Sequence, residues 1–121
     1  MGEGIRDFAD LEIYQAGYKL ALMVYQVSQS LPETEKYGLL SQMRRAAVSI
    51  PANIAEGYGR RSSAAEFKNF LRMALGSANE MAVLLSLTKD LGYTNQSKVQ
   101  ELIQAYDSLG KQIYRLMQVW K

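Results

Sequence analysis

The sequence predicts an all-α protein: one domain of 121 residues folded as an antiparallel up-down-up-down four-helix bundle. Three observations lead there. Apolar residues recur at steps of three and four in four successive segments, each roughly 20 to 25 residues long. Short turns carrying Pro, Gly, Ser or Asn separate those segments. No internal repeat, low-complexity tract or linker interrupts them, so the single domain is expected to span 1–121, with 1–7 as a loose, glycine-rich lead-in.

The first segment is expected from about Phe8 or Leu11 to Ser30. It carries two apolar stripes, Leu11, Tyr14, Tyr18, Leu22, Tyr25 and Ile13, Gly17, Leu20, Val24, Leu31. One stripe suffices for the core of a four-helix bundle, so the second suggests self-association, with Tyr14, Tyr18 and Tyr25 as candidate interface residues. The competing reading makes them core tyrosines with satisfied hydroxyls. Leu31, Pro32 and Glu33 end this helix, and the second is expected from about Glu35 to Gly59.

Within the second segment Leu40, Met43, Ala47, Ile50 and Ile54 form the core stripe. Gln42, Arg45, Ser49, Asn53, Glu56 and Arg60 form a polar ridge on another side. Pro51 lies inside this helix, but the apolar register passes through it unbroken, so a kink at Pro51 is expected and not an end. Ser63 followed by Glu66 reads as a capping box opening the third helix, which places Phe67, Phe70, Leu71, Ala74, Ala78, Met81, Leu85 and Thr88 inward and stops at Gly92. Its small middle, Ala74 to Ala78, is the expected seat for the kinked region around Pro51. The fourth helix, from about Gln96 to Trp120, has Val99, Leu102, Tyr106, Leu109, Ile113, Met117 and Trp120 as a heptad-like seam.

Composition narrows the chemistry. There is no cysteine and no histidine, which removes disulfides, thiolate chemistry, imidazole bases and the Glu-x-x-His di-iron pattern. No cofactor or metal is expected, and no enzyme activity. The absence of cysteine suits a cytoplasmic protein. The start of the chain has acidic residues and no long apolar run, unlike a secretory signal. Nowhere do 18 consecutive apolar residues occur, so no membrane span is expected.

Net charge is only +2, yet Lys36, Arg44, Arg45, Arg60, Arg61, Lys68 and Arg72 face only Glu56 and Glu66 within 36–72. That segment therefore holds +5 and the remainder −3. Such asymmetry favours a polyanionic or acidic partner, against the plainer reading of a solvated face. Arg44, Arg45, Arg60, Arg61 and Lys68 are the candidate nucleic-acid-binding residues. The run Gly57 to Arg61, just before the third helix, could hold a phosphate unless Ser63 and Glu66 already occupy the helix amides.

The run YGLLSQMRRAAVSIPANIAEGYGRRS, then EFKNFLRMALGSANE and LGY, together with the opening DLEIYQ, resembles the four-helix-bundle family named for proteins encoded in intervening sequences of 23S rRNA genes. The signature falls on Arg44, Arg45, Ser49, Ile50, Pro51, Asn53, Ile54, Ala55, Glu56, Gly57, Gly59 and Arg60, with Tyr14 where tryptophan is common and Ala52 where serine is common. That resemblance implies homopentamers arranged as a barrel. It also implies a similarity to accessory proteins of diversity-generating retroelements, which bind nucleic acid and a reverse transcriptase, and no enzyme activity. The expected function is a homo-oligomeric binding module that engages RNA or DNA through the basic side of the second helix and the following loop. The alternative is a protein-binding scaffold whose arginines sit at subunit or partner interfaces.

Overall fold

The computed structural model describes residues 4–121. Four helices make the bundle: α1 (Glu12–Ser28), α2 (Leu39–Gly59), α3 (Ala64–Asp90) and α4 (Gln96–Val119). Successive helices pack on each other and α4 closes against α1, so α1 and α3 are diagonal, as are α2 and α4. This is the expected up-down bundle, and no described residue is in a strand.

Single 3-10 turns precede the first two helices. Phe8–Asp10 is capped by the Asp7 carboxylate, which accepts from the Ala9 amide. The Asp10 carboxylate accepts from the amides of Arg6 and Asp7. Those amides hold the Asp10 carboxyl below its ordinary range. Glu33–Glu35 forms the second turn, so α2 starts at Leu39, four residues later than periodicity predicts. Glu35 supplies the cap from outside the helix: its Oε1 accepts from the Leu39 amide at 3.2 Å and its Oε2 from the Tyr93 hydroxyl at 3.0 Å. The start of α2 is thereby tied to the turn between α3 and α4.

The inward residues are largely those that periodicity selects. Met43, Ala47, Ile50 and Ile54 of α2 meet Phe67, Leu71, Ala74, Met81 and Leu85 of α3 and Val99, Leu102, Tyr106, Leu109 and Ile113 of α4. From α1 only Ile13, Gly17, Leu20, Ala21, Val24, Val27 and Ser28 are buried. Leu40, Phe70, Met117 and Trp120 are half-buried at its edges. Between α3 and α4, Gly92 takes φ +73°, the left-handed conformation expected of a helix-ending glycine. Ser63 caps α3 by accepting from the Glu66 amide, but the Glu66 carboxylate pairs with Arg60, so only half of the expected box forms. By length and composition α3 is long and apolar enough to cross a membrane. It lies between α2 and α4 with its apolar face in the core.

The region of α2 around Pro51 meets the small middle of α3 at Ser77, but the proline ring itself faces α1. Helix α2 runs through Pro51 without a break, and the proline packs on α1. A Cβ placed on Gly17 would lie 3.1 Å from Ile50 Cγ2 and 3.5 Å from Pro51 Cδ, whereas one on Gly76 meets nothing within 4 Å. Position along the helix separates the two contacts: Pro51 is roughly 200° from Ser49, which reaches the middle of α3 through Ser77. On the other flank Gly57 admits α3, since a Cβ there would stand 2.6 Å from Phe70 Cβ and 3.1 Å from Phe67 Cδ1.

These glycines make opposite predictions. Gly57→Ala forces two helices apart and is expected to cost about 1–3 kcal/mol in urea unfolding. Gly76→Ala fills open space in a helix interior and is expected to gain up to ~1 kcal/mol. A second check uses Tyr93, whose pKa is raised above 10.0 chiefly by its hydrogen bond to the Glu35 carboxylate. With the folded pKa raised, the stabilising contribution is complete below the unfolded value near 10 and is lost as pH rises through the folded one. The stability difference between wild type and Tyr93→Phe should therefore shrink as unfolding is measured above pH ~10.

Candidate functional site

Two surfaces stand out, one apolar and one basic. The apolar one lies over the seam of α1 and α2. Because Ile13, Gly17, Leu20 and Val24 turn inward, the other stripe of α1 must turn outward. Tyr18 is 54% exposed, Leu22 56% and Tyr25 40%, while Tyr14 is half-buried against the Phe8 ring at 5.0 Å. They border a groove of about 460 Å³ whose other wall is Val48, Pro51, Ala52 and Ala55 of α2. Tyr18 and Tyr25 are thus surface residues and not core tyrosines.

Sequence reading missed the α2 half of this groove. Val48, Ala52 and Ala55 are separated by steps of four and three, a second apolar stripe on α2. Their small size and the polar ridge beside them masked the pattern.

The five basic candidates do not share a surface. Arg44 reaches back to α1: its Nε donates to Ser28 Oγ at 3.0 Å and its guanidinium lies 4.6 Å from the Tyr25 ring centre, at one end of the apolar groove. Arg45, one residue on, is exposed and makes no hydrogen bond or ion pair to another described residue. Arg60 sits between Glu56 at 3.5 Å and Glu66 at 3.4 Å, all three side chains about half exposed, and rests over the Phe70 ring, so two solvent-screened carboxylates offset its charge in part. Arg61 lies 4.0 Å over the Tyr58 ring and donates to the Tyr58 carbonyl at 2.9 Å. Lys68 is two residues from both Glu66 and Phe70, hence roughly 200° around α3 from the Arg60 cluster.

Nor is the polar ridge of α2 a continuous wet surface. Ser49 Oγ and Ser77 Oγ are hydrogen-bonded at 2.9 Å, and Asn53 Nδ2 donates to the Ser49 carbonyl and hydroxyl at 2.8 and 2.9 Å. The middle of the ridge closes the joint between α2 and α3. At the start of α3, Ser63 takes the Glu66 amide and the Glu66 carboxylate takes Arg60, so the alternative to a phosphate at this helix start, occupation by the chain's own Ser63 and Glu66, is the one seen. Among the described residues no three carboxylates gather as a metal site would require.

Residues 9–115 match the family described as 23S rRNA-intervening sequence protein. The chain belongs to that family. Its fold is shared by a crystal structure described as a protein with unknown function from the S23 ribosomal protein family of Bacteroides thetaiotaomicron. The two are 23% identical, with a TM-score of 0.79 over 88% of this chain and 99% of the other. At that identity the likeness speaks for the fold. None of the curated proteins matches the chain.

Proposed function

We propose that this member of the 23S rRNA-intervening sequence protein family is a non-enzymatic, homo-oligomeric binding module of the cytoplasm, assembled through the outer face of α1 and α2. The observation that carries this reading is the apolar groove between Tyr14, Tyr18, Leu22 and Tyr25 on one side and Val48, Pro51, Ala52 and Ala55 on the other. Helix α1 is apolar around most of its circumference, although the monomer core uses only one of its stripes. Tyrosine suits such a face because the ring buries area while the hydroxyl stays at a wet rim. The resemblance to homopentameric bundles makes further copies of the chain its occupants.

Nucleic-acid binding through α2 and the loop after it is the second reading, favoured by the +5 balance of 36–72 and the open guanidinium of Arg45. The intramolecular partners of Arg44, Arg60 and Arg61 weigh against α2 alone carrying it. Likeness to accessory proteins of diversity-generating retroelements adds a reverse transcriptase as a protein partner for an assembled module.

Light scattering at micromolar concentration tests assembly. A mass several times 13.6 kDa is expected. Tyr18→Ser with Leu22→Asp should return the monomer mass with unchanged helix content, because both side chains lie outside the core. Leu22, roughly half exposed, still has about 1 kcal/mol to gain from burial in each interface. A wild-type protein that stays monomeric overturns the reading.

A further inference from the structure

The groove between α3 and α4 gathers a second set of cations, with one carboxylate in its lining. Its lining includes Leu75 and Asn79 of α3 and Asp107, Gly110, Lys111, Tyr114 and Arg115 of α4, around a volume of about 460 Å³. Two contacts fix the antiparallel register of these helices. Leu75 Cδ1 lies 3.3 Å from the position of a Cβ on Gly110, and the Phe67 ring centre lies 4.6 Å from that of Trp120. Arg72 lies between the two α3 contacts and Arg115 between the two α4 contacts, so they occupy facing turns. Lys68, Arg72 and Leu75 stand at steps of four and three, which keeps both cations on the flank of α3 that meets α4.

Lys111 and Arg115 thus line the groove, whose own acid is Asp107, and Lys68 and Arg72 continue its α3 flank two turns and one turn before Leu75. That carboxylate pairs with Lys111 at 3.3 Å, both groups well exposed, a contact that water and salt largely screen. Arg72 makes one side-chain bond, to the neutral Asn69. On α2, by contrast, Arg60 alone engages two carboxylates. Among the cations stands Tyr114, 54% exposed, an aromatic face free for stacking. Cations spaced along a groove with an exposed ring among them are what a flexible phosphodiester strand requires, charge for its backbone and a platform for a base.

We propose that the α3–α4 groove binds single-stranded nucleic acid, with Lys68, Arg72, Lys111 and Arg115 on the phosphates and Tyr114 stacking a base. This goes beyond the proposed function: it depends neither on assembly through α1 and α2 nor on the α2 arginines.

The test is fluorescence anisotropy with labelled oligo(U), and with a duplex RNA of equal length, across a series of salt concentrations. Arg72→Gln with Arg115→Gln should weaken oligo(U) binding about tenfold or more and lower the salt slope by ~1.4, at ~0.7 for each single-strand phosphate that is no longer neutralised. Tyr114→Ala should weaken it about fivefold or more and leave the salt slope unchanged. Lys19→Gln, exposed on α1, should bind as wild type, and Arg45→Gln with Arg61→Gln is the α2 variant whose selective loss of binding would move the site to α2. The inference is overturned if wild type fails to bind oligo(U), or if the Arg72/Arg115 protein binds it normally while the α2 variant loses it. Equal affinity for the duplex, with Tyr114→Ala silent, overturns the single-strand assignment. Light scattering on the same proteins should show unchanged mass. A fall in mass for the Arg72/Arg115 variant alone makes the groove a subunit interface and also overturns the inference.

Discussion

Everything on the surface of this bundle follows from how closely α2 is gripped on its two flanks. On one flank Gly17 of α1 lets Ile50 approach to a distance at which a side chain would crowd it, with Pro51 in contact beside it. On the other, Gly57 of α2 leaves no room for a Cβ beside Phe70. Close approach at both places fixes the rotation of α1 and α3 about α2, and rotation decides which stripe of each helix is spent on the core. With Gly17 facing α2, the stripe through Tyr18 and Leu22 has no interior left to enter. The exposed aromatic groove is therefore a consequence of core packing, and it cannot be withdrawn without undoing the contact between α1 and α2.

Helix content, order and most core positions were legible in the sequence because they rest on local periodicity, which needs no knowledge of neighbours. The stripe Met43, Ala47, Ile50, Ile54 is buried as its spacing requires. Partner choice was less legible. Small residues announce that a helix can come close, but not which one, and both Ala74 to Ala78 and Gly17 met that description for Pro51. The start of α2 was misread for a related reason. Glu35 looks like a first-turn residue, yet its carboxylate caps Leu39 from outside while holding Tyr93, a contact 58 residues away along the chain.

Charge was the hardest property to read along the chain. Counting residues in 36–72 gives a true excess, but a count does not see that Glu66 of α3 answers Arg60 of α2, or that Arg61 folds back over Tyr58. Lys111 and Arg115 lay outside the basic segment, in a helix marked mainly by its apolar seam. Only the antiparallel register brings them opposite Lys68 and Arg72. The one available signal was the matched step of four in each pair, 68 to 72 and 111 to 115, which keeps two cations on one flank of each helix. That pattern is common on solvated helices, and it acquires meaning only when two such flanks face each other.

The placement of the two surfaces makes them compatible. With α1 beside α2 and α4, and α3 beside α2 and α4, the outer seam of α1 and α2 lies on the opposite side of the bundle from the groove of α3 and α4. Covering the apolar seam with another copy leaves the basic groove open. Each added copy then contributes another groove at a fixed distance from the last, so a strand held in one is presented to the next at high effective concentration. A groove lined by Lys111, Arg115 and one tyrosine, with Lys68 and Arg72 along its flank, is modest by itself, and its salt-sensitive affinity would be weak at physiological ionic strength. Repetition by assembly is the physical route by which such a site becomes selective for long strands over short ones, without any base-specific contact. In that view the stability of the aromatic seam sets how many grooves a single strand can meet, and the two surfaces act as one device although no residue belongs to both.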